Sequence, residues 1–129
     1  MDHPFDRSKI RPSPVEILVA GLIWNRQGRH RAIPIAEIVR LAGAGNYLLD
    51  DRKVKDIVHQ LRRTHRVPIG SSRHDPPGYF IMLDASDLDA GLGAYRRQLI
   101  EGWQVLRAVA PQSWIAELRG QLTIEDTTP

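Results

Sequence analysis

A chain of 129 residues with 42 % apolar and 26 % charged side chains can fold around one core, and its composition lies away from the polar corner where chains stay disordered. Zero cysteines exclude disulfides, thiolate nucleophiles and every cysteine-containing zinc site. The formal net charge of +3 is segregated: residues 52–73 hold seven Lys or Arg against Asp56 alone, while residues 84–129 hold four against seven Asp or Glu. Concentrated positive charge beside an acidic remainder suits a polyanion-facing surface, because binding phosphates releases counterions. No apolar run approaches the roughly 20 residues of a membrane helix, and the start MDHPFDRSKI lacks the apolar stretch of a signal peptide. A cytoplasmic protein without membrane contact is expected.

Residues 1–13 carry Pro4, Pro12 and several charges with little apolar material, and are read as a flexible arm. Ser13 then offers an N-cap and Pro14 a first-turn proline, with Val15, Leu18, Leu22 and Ile23 at helical spacing. The first helix is expected to run to about Gln27, before Gly28. In RHRAIPI, Pro34 biases Ile33 towards extended backbone, so a short strand is expected there. Ile35 to Ala42 reads as a second helix with Ile35, Ile38, Val39 and Ala42 inward, ended by Gly43 and Gly45. The loop AGAGNYLLDD is longer than the tight turn of a minimal helix-turn-helix.

Asp50 or Asp51 can cap a third helix. Within it Val54, Ile57, Val58 and Leu61 fall at i, i+3, i+4 and i+7, the spacing of a core stripe. The outer face is left to Arg52, Lys53, Lys55, Asp56, His59, Gln60, Arg62 and Arg63. Arg and Lys grip phosphates, and Arg and Gln also have the donor geometry to read guanine and adenine edges in a major groove wide enough for one helix. Val67 to Ile69 and Tyr79 to Leu83 are β-prone runs around the turn-rich loop GSSRHDPPG, whose tip carries Arg73 and His74.

The order helix, β-prone segment, helix, helix, two strands resembles the winged helix-turn-helix. Within it DDRKVKDIVHQLRRTHRVPIGSS and GYFIML resemble the biotin-repressor-like subgroup found in small bacterial and phage DNA-binding proteins. The resemblance places Lys53, Val54, Ile57, Val58, Leu61 and Arg62 in the recognition helix, opens the wing with Pro68 to Ser71 and begins its return strand at Gly78 and Tyr79. It covers residues 14–84 and implies an α+β, mainly α fold of three helices and a β-hairpin wing, followed by C-terminal helices.

After the hairpin, Ser86 and Asp89 read as a capping box. Leu88, Leu92, Tyr95, Leu99, Trp103 and Leu106 then recur at steps of four and three despite Gly91, Gly93 and Gly102. Pro111 breaks this helix, and Trp114, Ile115, Leu118 and Leu122 form another apolar face, which leaves 123–129 as a disordered tail. Such a stripe either folds back as core or pairs with a second subunit. Two apolar helices in an 85–122 extension exceed what a domain this small needs to cover itself, which favours a homodimer through Leu92, Tyr95, Leu99, Trp103, Leu106 and Trp114.

Enzyme readings fail on spacing. His3, His30, His59, His65 and His74 make no HxxxH or HExxH pattern, and GAGNYLLD lacks the lysine and hydroxyl of a P-loop. The expectation is a non-enzymatic regulator without cofactor or metal. It would bind double-stranded DNA sequence-specifically, with about residues 51–65 in the major groove and the wing, 70–78, on the backbone or minor groove. Arg62, Arg63 and Arg66 would hold phosphates, and Arg73 and His74 would serve the wing. Two alternatives use the same fold: a phage-type replication or packaging protein, and a protein-interaction module working through Tyr95, Trp103 and Trp114.

Overall fold

Among the described residues, five α-helices and one two-stranded antiparallel hairpin make the fold α+β and mainly helical. The structure, a computed structural model, describes residues 11–74 and 76–127, with side chains described through Thr123. Most of the 1–13 arm, and Asp75 in the hairpin loop, therefore lie outside the described residues. The elements in order are α1 (Pro14–Trp24), a 3-10 turn (Arg29–Arg31), α2 (Ile35–Ala44), α3 (Asp51–Arg63), β1 (Ile69–Ser72), β2 (Gly78–Ile81), α4 (Ala85–Val109) and α5 (Gln112–Thr127). Among the described residues, no helix is long and apolar enough to cross a membrane.

Two compact units divide the chain between Gly93 and Ala94, inside α4. In the first unit the inward positions of three helices and the hairpin meet in one cluster. Val19, Ala20 and Ile23 come from α1, Ile38 from α2, and Val54, Val58 and Leu61 from α3, with Ile33, Val67, Ile69, Tyr79 and Ile81 closing it. Each is at most 7 % exposed. The cap of α1 is a capping box: Glu16 N–H donates to the Ser13 hydroxyl, and Ser13 N–H donates to Glu16 Oε1 at 2.8 Å. Asp50 caps α3 by accepting from Lys53 N–H at 2.8 Å.

The hairpin pairs Ile69 with Ile81, Gly70 with Phe80, Ser71 with Tyr79 and Ser72 with Gly78. Its return strand is bonded on both edges. Ile33 and Tyr79 exchange two backbone hydrogen bonds, and Ile81 bonds with Arg26 and Gly28. Gly78 can be no other residue: its φ is +127°, and an added Cβ would stand 2.0 Å from the Ile33 carbonyl oxygen. Beneath the other side of the hairpin, Gly70 and Gly91 let β1 and the first turns of α4 touch, since a Cβ on Gly91 would lie 2.7 Å from Gly70 Cα.

Several boundaries correct the sequence reading. Helix α1 stops at Trp24 instead of Gln27, because Arg26 and Gly28 are drawn into bonds with Ile81. The short strand expected in RHRAIPI is a 3-10 turn followed by the single bridging residue Ile33. Strand β1 starts at Ile69, not Val67, because Arg66 has a φ of +56° and Val67 N–H turns back to the Leu61 carbonyl.

Asp84, not Ser86, caps α4 by accepting from Asp87 N–H at 2.8 Å, and the buried Asp87 carboxylate accepts in turn from Leu83 and Arg29 N–H. The Ser86 hydroxyl instead receives the Arg29 guanidinium. Helix α5 continues past Leu122 to Thr127, so the segment expected to be a disordered tail is helical that far.

The second unit is a helical hairpin made from the later part of α4 and from α5. Ile115 is its buried anchor at 8 % exposure, and the Arg119 guanidinium lies over the Trp103 ring, 5.1 Å from its centroid.

Candidate nucleic-acid interface

Helix α3 separates its two faces cleanly. Val54, Val58 and Leu61 are at most 1 % exposed, while Arg52, Lys53, Lys55, Asp56, His59, Gln60 and Arg63 are all solvent-exposed. The spacing of Arg52, Asp56, His59 and Arg63 lays them along one outer row at three- and four-residue steps, with Lys53 and Gln60 beside it. Arg52 Nε lies 3.6 Å from Asp56 Oδ1, and both side chains are mostly in water, so this i,i+4 pair contributes little to stability. Its consequence is local: Asp56 stands beside Arg52 and offsets part of its charge.

Arg62 departs from the expectation that it holds phosphate. The side chain leaves the outer row and turns to the hairpin, where Nε donates to the Ile69 carbonyl at 2.9 Å and Nη2 donates to the Ser71 hydroxyl at 2.6 Å. Its guanidinium also lies 5.7 Å from the centre of the Tyr79 ring. Arginine suits this place because a planar fork can bond two oxygens and stack on an aromatic ring at once. The effect is to fasten the hairpin to the last turns of α3.

Arg66 is exposed in the turn after α3. Arg73 and His74 are exposed at the hairpin tip, where Ser72 Oγ donates to the His74 carbonyl at 2.7 Å and accepts from His74 N–H. Such a turn holds the tip backbone and leaves both side chains to solvent. Ahead of α3, Leu48 stands 87 % exposed in the loop after α2. Asn46 turns that loop with a φ of +68°, and Tyr47 N–H donates to the Ala42 carbonyl, which satisfies an orphan carbonyl at the end of α2.

On the C-terminal helices, Tyr95, Leu99 and Trp114 are 55 %, 71 % and 46 % exposed, while Leu92, Trp103 and Leu106 are half-buried. Among the described residues no three His, Asp or Glu side chains converge as metal ligands would.

One polar pair escaped the sequence reading. His65 is 1 % exposed, and its Nε2 lies 3.3 Å from Glu16 Oε2, joining the end of α3 to the start of α1. Burial by itself raises the Glu16 pKa, but the hydrogen bonds with Ser13 and the nearby His65 outweigh it and hold the carboxyl below its ordinary value of 4.5. Glu16 is visible in the sequence as the fourth member of S-P-V-E; nothing there marks His65 as its partner.

No protein-family model, no curated protein and no solved structure matches the chain.

Proposed function

We propose that the chain binds double-stranded DNA as a winged helix-turn-helix protein, most simply as a transcriptional regulator. Helix α3 enters the major groove, and the β1–β2 hairpin acts as the wing. The observation that carries this reading is the outer row of α3, a helix with a fully buried inner stripe that offers Arg52, Lys53, His59, Gln60 and Arg63 to solvent beside a hairpin tip bearing Arg73 and His74. Gln60 and the arginines supply base-edge donors, and Lys53 and Lys55 supply phosphate contacts. Arg62 serves the same surface indirectly by setting the angle of the wing.

The test is a fluorescence-anisotropy titration of duplex DNA over a series of salt concentrations, with the parent chain and with Arg52→Ala, Lys55→Ala and Arg73→Ala combined. Each phosphate contact contributes about 0.9 to the slope of log K on log salt. The triple variant should bind more weakly and lose about 1 to 2 from that slope, the share of Lys55 and of Arg73 where the wing meets the backbone, since Arg52 meets base edges. Equal affinity and equal slope for the two proteins, or no binding by the parent at low salt, would overturn the proposal.

A further inference from the structure

We propose that the groove between α4 and α5 in the second unit binds a small organic phosphate monoester, with the phosphate on Arg107 and Arg119 and the carbon body against Ile115. The groove is a cavity of about 400 Å3 lined by Arg107, Ala110, Gln112, Ile115, Ala116 and Arg119. Small-molecule sites are clefts of roughly 300–1,000 Å3 with an apolar floor and a few converging polar groups. All six residues belong to the second unit. Arg107 and Ala110 stand one turn apart at and just past the end of α4, and Pro111 turns the chain. Across from them Gln112, Ile115, Ala116 and Arg119 follow at three- and four-residue steps, which is one face of α5.

The polar part of this lining is two cations and one amide, and it contains no acid. Among the described residues the ion pairs are Arg40 with Glu37, Arg52 with Asp56 and His65 with Glu16, so neither Arg107 nor Arg119 is neutralised by the chain itself. Glu101 and Glu117, on the same two helices, do not line the cavity. Arg119 is held by other means: it lies over the Trp103 ring, 5.1 Å from the centroid, and a stacked guanidinium keeps its N–H edge open to an acceptor. Residues 84–129 hold seven Asp or Glu and four Arg, yet two of those four arginines meet in one cavity. Like charges repel there, and an anion between them turns repulsion into attraction.

The geometry of two forks favours phosphate. A carboxylate has two oxygens, which a single guanidinium satisfies, whereas a phosphate monoester offers three oxygens and a charge of about −1.5 to −2 near neutral pH for two guanidiniums to share. Ile115, 8 % exposed, gives the carbon body of the ester an apolar seat together with Ala110 and Ala116.

Isothermal titration calorimetry of the full chain at fixed ionic strength tests this with phenyl phosphate, benzoate and inorganic phosphate. Phenyl phosphate should bind saturably at one per chain, more tightly than either of the others. Arg107→Gln and Arg119→Gln should each raise its Kd at least about tenfold, the scale of one lost charge-assisted hydrogen bond. Both side chains are exposed, so the circular dichroism spectrum should not change. Arg119→Lys keeps the charge without the fork and should also bind more weakly than the parent. Arg97→Gln removes an exposed arginine of α4 outside the cavity and should bind like the parent. The proposal is overturned by the absence of saturable phenyl phosphate binding, by equal affinity for inorganic phosphate, by tighter binding of benzoate, or by a loss in Arg97→Gln as large as in Arg107→Gln. No DNA enters the titration, so its outcome is independent of the DNA-binding reading.

Discussion

Replacing Arg62 by Met keeps most of the aliphatic stem and removes the guanidinium that joins α3 to the hairpin. Two hydrogen bonds are lost, to the Ile69 carbonyl at 2.9 Å and the Ser71 hydroxyl at 2.6 Å, along with the contact over Tyr79. A bond to a charged group contributes roughly 1.5–3 kcal/mol when buried, and an exposed cation–π contact roughly 0.5–1 kcal/mol. Arg62 is only half-buried, which screens both bonds, so the combined loss should be about 2 kcal/mol.

Urea unfolding measures it. The midpoint should fall with little change in slope, and the melting temperature should drop by about 8–16 °C at roughly 4–8 °C per kcal/mol. Arg62→Lys keeps the charge but not the fork, and should lose nearly as much. A loss below about 0.5 kcal/mol in Arg62→Met, the scale of an ordinary surface substitution, would refute the view that this side chain holds the hairpin in place.

Three further outcomes follow from the local geometry. Gly78→Ala puts a Cβ 2.0 Å from the Ile33 carbonyl oxygen at a φ of +127°, and should cost more than about 4 kcal/mol in urea unfolding, whereas Gly21→Ala, where a Cβ meets nothing within 4 Å in the exposed side of α1, should stabilise by about 0.5–1 kcal/mol. Glu16 has a folded pKa below its ordinary 4.5, so its ionised form favours the fold: the contribution is complete above about pH 4.5 and is lost as pH falls through the folded value. Glu16→Gln should therefore be less stable than the parent near neutral pH, with a gap that narrows below about pH 4.5. A gap constant from about pH 7 to about pH 3 would remove the carboxylate from the account.

The parts of this fold that were legible in the sequence are those written in periodicity and local capping. Val54, Val58 and Leu61 at helical spacing named the inner face of α3, and Ser13, Pro14 and Asp50 named two helix starts, because a cap and an amphipathic stripe are satisfied within a few residues. What stayed hidden depends on partners far along the chain. Gly91 reads as a blemish in an apolar stripe, yet it is where α4 meets Gly70, twenty-one positions earlier. Arg62 reads as one more basic residue on an outer face; only the position of Ile69 and Ser71 shows that it faces the hairpin. His65 and Glu16 are forty-nine residues apart, and no local rule relates them. The cap of α4 was misplaced by two residues because Ser86 has the expected chemistry, while the choice of Asp84 is set by Asp87 reaching Arg29 across the fold.

The double bonding of β2 also bears on how the chain is made. Arg26, Gly28 and Ile33 find their backbone partners only at Tyr79 and Ile81, and Arg29 finds its acceptor only at Asp87. During synthesis α1, α2 and α3 leave the ribosome with the α1–α2 connection unsatisfied and half the core without its lid. Closing loops of about fifty residues is entropically costly until the hairpin arrives to reward it. The first unit should therefore complete as one cooperative event, after Ile81 has emerged, rather than helix by helix. A nascent chain stalled within the hairpin would be the species most exposed to proteases and to misassociation.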